Sequence, residues 1–551
     1  MTDNSNSLFE IKKYFSRVVN IGQVPVGGDF PVRIQSMTNT NTLDTESTVA
    51  QCLWLIQAGC EYIRITAPGI KEAENFLNIK NELAKKGYKI PLIADIHFNP
   101  KAAEIAARIV DKVRINPGNY IDKKTGKIDF TEQEFREETE KIKQRIAPLI
   151  SICKEYGTAM RIGSNHGSLS ERIMSRYGNT PVGMVESAME FLRICNELNF
   201  HNIVVSMKSS SVRIMVEATR LLVYRMTAEG MNYPVHLGVT EAGEGEDGRI
   251  KSATGIGALL GEGIGDTIRV SLTEPPENEI PVAKTLIERY KKHKEIVDSK
   301  TFVNPFEYSR RETIPVETIG GKHLPVVYDE IKKNKNIKLV PVFFKDLTLE
   351  FLNNIKKDKQ TVLVFEINQN EMSESRQMFN FLIENNCKVP VIIKRKCSET
   401  ETEKFQLYSA ADLSSLLIDG LGDGIWLEQH KNITEKFAEE TSFAILQSIG
   451  VRYTKTEYIS CPTCGRMSYN IQNVLKEVKE KTMHLKNLKI GVMGCVVNGP
   501  GEMADADYGV VGAGQGKVTL FKGKQIIKKN ILENDAADEL VKLIKDSGDW
   551  K

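Results

Sequence analysis

Eight short segments rich in valine and isoleucine recur along the first 275 residues, and stretches with helical character separate most of them. They are PVRIQSM (31–37), YIRITAP (62–68), LIADIHF (92–98), KVRINPG (112–118), AMRIGSN (159–165), IVVSMKS (203–209), VHLGVTE (235–241) and TIRVSLT (267–273). Strands that alternate with helices eight times over about 250 residues are typical of a (β/α)8 barrel. A doubly wound open sheet is the alternative, but it rarely keeps eight units this regular. The sequence therefore predicts an α/β protein that begins with a TIM barrel.

The composition changes near residue 285, which predicts two further domains. A second α/β pattern with Lys- and Glu-rich connections follows, and it contains no cluster of histidines, cysteines or cations, which favours a structural spacer. From about residue 450 a shorter pattern of strands and helices contains three of the nine cysteines. We therefore expect a substrate-binding barrel at 1–285, an α/β insertion at 286–448 and an α+β domain at 449–551.

The bulk composition limits the classes of function. The net charge of +2 over 551 residues argues against a general nucleic-acid or membrane-surface binder. The first residues are polar without an apolar signal segment, and no stretch is long and apolar enough to span a membrane. Cysteines scattered through a chain of this length do not suggest a disulfide framework. We expect a cytoplasmic protein in which the six cysteines before residue 450 are inert thiols.

Cations recur at equivalent positions of the predicted strands. Arginine precedes a β-branched residue in five strands, and a sixth strand carries a lysine: Arg33, Arg64, Arg114, Arg161, Arg269 and Lys208. Burying an unpaired cation is costly, and too few acidic residues lie nearby to pair with all six. Convergent guanidinium groups match phosphate oxygens in bidentate geometry. The sequence therefore predicts a small polyphosphorylated substrate at the mouth of the barrel.

Polar residues at the strand ends suit positioning and proton transfer. Asn165 with His166, Ser209 to Ser211, Thr240 with Glu241, and Ser271 with Thr273 all follow predicted strands. Glu241 is the only acidic residue near the end of the seventh strand, so it is the favoured proton donor. Asp95 and His97 are weaker candidates, because a histidine at a strand end is more often structural.

Three cysteines near the C-terminus form an incomplete metal-binding pattern. Cys461 and Cys464 form a CxxC, and Cys495 stands alone, with no second CxxC in the chain. A zinc ribbon needs four ligands, and His484 is the remaining candidate for a Cys3His site. Three thiolates with one oxygen ligand instead fit an iron–sulfur cluster. Glu502, seven residues after Cys495 across a glycine-rich turn, is the first candidate for that oxygen, while Asp505 and Asp507 compete with it.

Four segments resemble a known family: ISCPTCGR, GVMGCVVNGPGEMADADYG, LGVTEAGEG and GDTIRVSLT. They are similar to the 4-hydroxy-3-methylbut-2-enyl diphosphate synthases of the non-mevalonate isoprenoid route, in their three-domain, plant-type form. The resemblance implies a barrel and a [4Fe–4S] domain related to sulfite and nitrite reductase modules. It implies reductive ring opening and dehydroxylation of 2-C-methyl-D-erythritol 2,4-cyclodiphosphate, with two electrons from ferredoxin or flavodoxin.

The resemblance also assigns roles to individual residues. The implied cluster ligands are Cys461, Cys464, Cys495 and Glu502. The implied diphosphate-binding residues are Arg64, Arg114, Arg161, Asn165, Lys208, Arg269 and Ser271. Thr240 and Glu241 correspond to residues near the reacting hydroxyl, and Asn498 to a polar contact from the cluster side. Shorter family members lack residues of about 290–445 and complete their site across a dimer, so the resemblance leaves a homodimer open.

Two other classes of function remain open at this stage. A non-enzymatic iron–sulfur or zinc module would act through the barrel without consuming a substrate. A metal-dependent or Schiff-base lyase or aldolase would act on sugar phosphates, with Lys208 as the suitably placed lysine. Six convergent cations together with three cysteines fit both alternatives less well than the reductive reaction.

Overall fold

The structure is a computed structural model that describes residues 9–11, 14–120, 129–291, 299–367, 372–462, 464–496 and 499–550. It contains three larger sheets, each at the place where the sequence predicts a group of strands. No helix in the described ranges has the length and apolar character of a membrane span.

The eight predicted strands of the first region all form, and they make one parallel sheet. They are β1 (Arg33–Met37), β2 (Tyr62–Thr66), β3 (Leu92–Asp95), β4 (Lys112–Ile115), β5 (Ala159–Asn165), β6 (Ile203–Lys208), β7 (His236–Leu237) and β8 (Thr267–Ile268). Neighbouring strands follow the order β7-β8-β1-β2-β3-β4-β5-β6. A parallel bridge between Val205 and Val235 joins the two ends of this order. The sheet therefore closes as a TIM barrel, which confirms the prediction.

Helices cover the outside of the barrel. They are α1 (Thr45–Ala58), α2 (Ile70–Lys85), α3 (Pro100–Ala106), α4 (Pro117–Tyr120), α5 (Glu132–Tyr156), α6 (Glu171–Tyr177), α7 (Pro181–Glu197), α8 (Val212–Ala228), α9 (Gly245–Leu260) and α10 (Glu279–Tyr290). The residues that flank α1 set its two ends. The Asp44 side chain accepts a hydrogen bond from the Ser47 N–H, and Gly59 ends the helix with a φ of 99°.

A small hairpin closes the amino-terminal end of the barrel. Residues Val19–Ile21 and Val24–Val26 pair antiparallel, and they pack on Tyr62, Ile93 and Val204 near the starts of the barrel strands. This plug is apolar and buried. The polar interior of the barrel therefore faces the carboxyl ends of the strands, where barrel enzymes have their sites.

The middle region contains a five-stranded parallel sheet, with β9 (Val326–Val327), β10 (Lys338–Val342), β11 (Thr361–Ile367), β12 (Val391–Lys396) and β13 (Gly424–Glu428) in the order β9-β13-β12-β11-β10. Its helices are α11 (Tyr328–Ile331), α12 (Leu349–Ile355), α13 (Met372–Glu384), α14 (Thr402–Ile418) and α15 (Glu435–Ile449). This sheet and its helices agree with the second α/β pattern that the sequence predicts. Helix α14 packs closely on α9 at Gly257. A Cβ at this position would lie only 2.6 Å from the Ala411 Cβ, so the glycine permits the close approach.

The C-terminal region forms a sheet whose strands pair in chain order: β14 (Glu457–Ser460), β15 (Lys489–Met493), β16 (Tyr508–Gly514), β17 (Lys517–Lys522) and β18 (Gln525–Leu532). The first three strands are parallel and the last two antiparallel. Helices α16 (Ile471–Thr482) and α18 (Ala536–Asp546) pack against it, and α17 (Gly499–Glu502) is a single turn. The shorter pattern of strands and helices predicted from about residue 450 is confirmed, whereas the domain limits at 285 and 448 stay predictions.

Candidate active site

The mouth of the barrel and the cysteine segments face one cavity of about 680 Å³, part of it open to solvent. Strand ends of the barrel supply its floor, and the loops after β14 and β15 supply its roof. Its lining comprises Met37, Arg64, Asp95, His97, Arg114, Arg161, Asn165, Lys208, Thr240, Glu241, Arg269, Ser271, Cys461, Pro462, Cys464, Arg466, Met493, Cys495 and Gly499. Both halves of this lining belong to the same chain.

Direct contacts hold the two halves together. A parallel bridge joins Ala242 to Ser460, and the Thr273 hydroxyl lies 2.7 Å from the Ser460 hydroxyl. On the opposite side, a Cβ on Gly167 would lie 2.8 Å from the Gly501 carbonyl oxygen. Only glycine permits this close approach of two backbones, and Gly167 also has a left-handed φ of 77°. The cysteine region is thus seated directly on the barrel rim.

Five of the six cations that the sequence places at the mouth line the cavity, and Arg33 does not. Arg33 is the first residue of β1, at the opposite end of the barrel. Its guanidinium donates to Glu61 at 2.8 Å and to the Pro25 carbonyl oxygen at 2.9 Å. The prediction for Arg33 is therefore wrong, because the position of a residue along its strand decides which end of the barrel it faces.

Three of the cavity cations have no ion pair with any carboxylate in the described part of the chain. Arg64 donates to the Met37 sulfur at 2.8 Å, while the Nε and Nη1 atoms of Arg161 have no hydrogen-bond partner there. Burial, with the neighbouring guanidiniums, lowers the pKa of Arg64 to about 9. The same causes hold the pKa values of Arg161 and Lys208 well below their usual range. A bound polyanion would remove this electrostatic penalty.

Arg114 belongs to a network with the two weaker candidates of the sequence analysis. Its guanidinium donates to the Asn165 side-chain oxygen at 2.9 Å and lies 3.3 Å from Asp95. It also lies 2.6 Å from His97 Nε2, which must accept this hydrogen bond because arginine only donates. Burial and two nearby guanidiniums lower the pKa of His97 to about 3. His97 is therefore a neutral acceptor that orients Arg114.

Arg466 is a cavity residue that the sequence analysis missed. It comes from the C-terminal region, two residues after Cys464, and donates to Asp95 at 2.6 Å across the cavity. The cavity thus has six cations against the carboxyl groups of Asp95 and Glu241. The only signal in the sequence is the arginine of SCPTCGR, and a CxxC motif by itself assigns no role to the residue that follows it.

Glu241 lies in the cavity wall as the sequence predicts, but in the loop four residues after the seventh strand rather than in the strand itself. Its carboxyl is buried, and its Oε2 has no hydrogen-bond partner among the described residues. Burial raises the pKa of Glu241, although Thr240 and nearby cations act in the opposite direction. Its φ of 49° is unusual for a residue with a side chain, and the loop holds it in this conformation. Glu241 can therefore keep a proton inside a cationic pocket.

The three cysteines outside the buried set converge on the cavity. Cys461, Cys464 and Cys495 all line it, and the Gly494 N–H donates to the Cys461 sulfur at 3.1 Å. The other six cysteines are buried, as expected for inert thiols. The His484 ring packs edge-on against Trp550, 5.1 Å between centroids, which leaves a Cys3His site without its fourth ligand. Within the described ranges, no three or more His, Cys, Asp or Glu side chains are grouped to hold one metal ion.

The candidate oxygen ligands differ in their partners. Asp505 pairs with His166 at 2.9 Å, and Asp507 accepts from the Lys489 N–H at 2.7 Å. Glu502 is buried, and its Oε2 has no hydrogen-bond partner in the described part of the chain. Burial, followed by the charges of Glu241 and Asp505, raises the pKa of Glu502 well above its usual range. Glu502 is therefore the one of the three candidate acids with a buried carboxyl oxygen that has no hydrogen-bond partner among the described residues.

Comparisons with known proteins identify the family. The model of the GcpE TIM-barrel domain matches residues 16–284, and that of the GcpE protein C-terminal domain matches residues 457–546. A 4-hydroxy-3-methylbut-2-en-1-yl diphosphate synthase (flavodoxin) from Parabacteroides distasonis is 47% identical, over 98% of this chain and 99% of the relative. The chain belongs to this synthase family.

Other synthases of the same name extend over the whole chain. Those of Porphyromonas gingivalis and Leptospira interrogans are 44% and 40% identical, over 99% and 98% of this chain and of the relatives respectively. These alignments include the middle region, so the relatives share it. A truncated 3-deoxy-D-arabino-heptulosonate 7-phosphate synthase structure from Thermotoga maritima matches half of the chain at 13% identity and a TM-score of 0.32, too low to support an argument.

The synthase cavity contains nine of the ten residues that the resemblance assigns to the substrate, as well as all three cysteines. Glu502 is buried beside the cavity, and Asn498 lies outside the described residues. The role of each residue stays a prediction. Three thiols on one cavity, a backbone donor to one of them and a carboxyl group with an unused oxygen are a donor set whose chemistry suits an iron–sulfur cluster, although the described side chains are not grouped around one metal position.

Proposed function

We propose that the chain reduces 2-C-methyl-D-erythritol 2,4-cyclodiphosphate to (E)-4-hydroxy-3-methylbut-2-enyl diphosphate, a step of non-mevalonate isoprenoid synthesis. The electron donor is flavodoxin, which the names of the curated relatives give, or ferredoxin as the alternative carrier. The observation that carries the proposal is the joint lining of one cavity by six cations, a buried acid and three cysteines. A cation-rich cavity fits the diphosphate, and the cysteines fit a redox centre.

The chemistry follows from the structures of substrate and product. The bond between the methyl-bearing carbon and its phosphate oxygen breaks, the neighbouring hydroxyl leaves as water, and a carbon–carbon double bond forms. This change consumes two electrons and two protons: one proton leaves with the hydroxyl as water, and the other balances the charge of the freed phosphate oxygen. The site must therefore hold the diphosphate, accept electrons and supply a proton beside the departing hydroxyl.

The barrel cations bind the cyclic diphosphate. Arg64, Arg161 and Lys208 have no ion pair with described carboxylates, so they are available to phosphate oxygens without first breaking one. Arg269 is already paired with Glu279 at 3.0 Å, and this pair fixes its direction. Asn165 and Ser271 add hydrogen bonds at the ends of β5 and β8. Binding a dianion or trianion here relieves repulsion among the cations.

Cys461, Cys464, Cys495 and Glu502 would hold a [4Fe–4S] cluster at the roof of the cavity. When bound, such a cluster supplies one-electron transfer and a metal position whose oxygen ligand is weaker than a thiolate. The chain supports it with the Gly494 N–H on the Cys461 sulfur and with the buried setting of Glu502. The cysteines also face the barrel cations, so the diphosphate would lie between the two.

Glu241 holds the proton for the departing hydroxyl. Its raised pKa keeps a proton on the carboxyl closer to neutral pH than an exposed glutamate would, and its free Oε2 lies at the cavity wall. Thr240 positions the same end of the substrate. The contacts of Ser460 with Thr273 and of Gly501 with Gly167 close the roof on the barrel and limit the entry of water.

Two variants test the ligand assignment under anaerobic conditions. Cys495→Ser is expected to lose iron and sulfide, because a hydroxyl does not replace a thiolate on iron. Glu502→Ala is expected to retain a cluster and lose most turnover, since three thiolates remain. Cys387→Ser, at a buried cysteine of the middle region, is the control and should keep both iron and activity. A Glu502→Ala protein with full turnover would contradict the role of the displaceable oxygen ligand.

A further inference from the structure

The β17–β18 hairpin is the most basic surface segment of the C-terminal region. Residues 517–532 contain five lysines and no aspartate or glutamate, in a chain with a net charge of only +2. Two of these lysines have partners: Lys528 pairs with Glu539 at 2.8 Å, and Lys522 donates to Ser547 at 3.0 Å. Lys517, Lys524 and Lys529 have no hydrogen bond or ion pair within the described ranges. Their charges are available to a binding partner.

The same hairpin exposes aliphatic side chains. Strand β18 is the edge of the sheet, and its residues from Gln525 to Asn530 are all exposed. Ile526, Ile527 and Leu532 are 47%, 43% and 58% exposed. Lysines alone are a common way to protect an edge strand from pairing, but such protection does not require three exposed aliphatic residues. Exposed aliphatic side chains among lysines, on both faces of an uncovered edge strand, are instead typical of a surface that a partner protein covers.

One end of the hairpin lies close to the cysteine segment. A Cβ on Gly512 would lie 2.4 Å from the carbonyl oxygen of Gly494, the residue before Cys495. Gly512 pairs with Val518, and Val518 pairs with Ile531. Because neighbouring strands lie about 4.8 Å apart, Ile531 is roughly 10 Å from Gly512. Leu532 and Lys517 are paired at this same end of the hairpin.

We propose that the β17–β18 hairpin is the docking surface for an acidic electron-carrier protein of the flavodoxin type. The inference rests on the proposed function, which requires such a donor. Electron transfer weakens steeply with distance, so the carrier must dock close to the cysteines, and the Lys517–Leu532 end of the hairpin meets this condition. Lysines without partners attract an acidic carrier and orient it, while the aliphatic residues exclude water from the contact.

Charge reversal tests the docking surface on the cluster-containing enzyme. We compare Lys517→Glu/Lys529→Glu with Lys333→Glu/Lys335→Glu, which changes the net charge equally on the middle region. Turnover of the cyclic diphosphate is measured with reduced flavodoxin at several concentrations and with a reduced viologen. The hairpin variant should raise the KM for flavodoxin at least tenfold and lose most salt dependence. Its viologen-driven turnover, and all rates of the control variant, should stay within twofold of wild type.

The two reductants separate the two hypotheses. If the wild-type enzyme does not turn over the cyclic diphosphate even with viologen, the proposed function fails. If viologen-driven turnover is normal but the hairpin variant keeps the wild-type KM for flavodoxin, the docking surface is overturned. Lysine acetylation of the unaltered enzyme gives a measurement without variants: flavodoxin should protect Lys517 and Lys529 but not Lys333 and Lys335. Equal reactivity of Lys517 and Lys529 with and without flavodoxin also overturns the proposal.

Discussion

Arg466 donates to Asp95 at 2.6 Å and thereby links the cysteine region to the carboxyl end of β3. Both side chains are largely buried, and Asp95 also lies 3.3 Å from Arg114. Burial alone would raise the pKa of Asp95, but Arg64, Arg466 and the other nearby cations hold it well below its usual range. This pair places a guanidinium from the roof of the cavity among the cations of its floor.

Replacing Arg466 should weaken substrate binding. Arg466→Gln removes the charge that faces the diphosphate and leaves Asp95 to Arg114, so the KM for the cyclic diphosphate should rise about tenfold, equivalent to about 1.4 kcal/mol. Arg452→Gln is the matched control, because it breaks the Arg452–Glu330 pair outside the cavity. Steady-state kinetics of both variants make the comparison. Equal KM values for Arg466→Gln and wild type would contradict a role in binding.

The buried Arg161 side chain should lower the free energy of unfolding of the substrate-free protein. Its buried guanidinium has two nitrogens without a described partner, so Arg161→Met should raise the free energy of unfolding by about 1–3 kcal/mol. The same change should remove most stabilisation of the protein by the cyclic diphosphate. Thermal unfolding with and without this compound measures both effects. Arg33→Met is the control: it breaks a pair with Glu61 and should lower stability but leave ligand stabilisation unchanged.

Glu241 should show the opposite pH dependence from its neighbour Glu274. Because burial raises the pKa of Glu241, its ionisation costs stability as the pH rises through the folded-state pKa. Glu241→Gln should therefore be more stable than wild type at pH 8 and equal to it near pH 4. The gain at pH 8 should be about 1.4 kcal/mol for every pH unit that separates the folded-state pKa from that of the unfolded chain. Its turnover should fall at least tenfold.

Glu274 provides the control. It is partly buried, but hydrogen bonds from Arg249 and the Gly245 N–H lower its pKa. Glu274→Gln should therefore lose stability at pH 8, and the loss should shrink as the pH falls through the folded-state pKa. Urea unfolding at several pH values measures both variants. A stability change of the same sign in the two variants at pH 8 would contradict the opposite electrostatic settings of the two carboxyl groups.

A buried ionic network fixes the middle region to the barrel. Arg220 and Glu262 of the barrel meet Arg376 and Asp419 of the middle region, with Arg220 at 2.6 Å from Asp419 and 2.5 Å from Glu262. Arg376 contacts both carboxylates. Arg376→Met leaves an excess buried negative charge and should cost about 3–5 kcal/mol. Adding Glu262→Gln restores the charge balance and should recover part of the loss, which chemical unfolding measures.

The fold could be predicted largely from the sequence because strand and helix patterns are local. Eight apolar runs, the cap at Asp44 and the glycine at position 59 each act within a few residues. The buried network was not predictable in this way. Arg220 and Asp419 are 199 residues apart, and neither has a sequence signal that names the other. The sequence analysis finds no cluster of cations in the middle region, and it therefore does not predict that Arg376 joins Arg220 in this network.

The site was predictable in its composition but not in its geometry. The cysteine pattern singles out Cys495 as a candidate metal ligand. The position of Glu241 after the seventh predicted strand singles it out as a candidate proton donor. Arg33 and Arg161 have equal sequence contexts, yet they lie at opposite ends of the barrel interior. Arg466 reaches the cavity only because the C-terminal region packs on the barrel. The sequence pattern around Arg466 does not predict its contact with Asp95.

Electron paramagnetic resonance of the anaerobically reduced protein, with and without 2-C-methyl-D-erythritol 2,4-cyclodiphosphate, gives the sharpest test of the proposed reaction. We predict a [4Fe–4S] signal that changes when the cyclic diphosphate is added, followed by formation of the linear diphosphate product. Inorganic diphosphate serves as the control, since it binds the barrel cations but has no hydroxyl to lose. A protein without an iron–sulfur signal, or a signal that the cyclic diphosphate leaves unchanged, would contradict the proposed reaction.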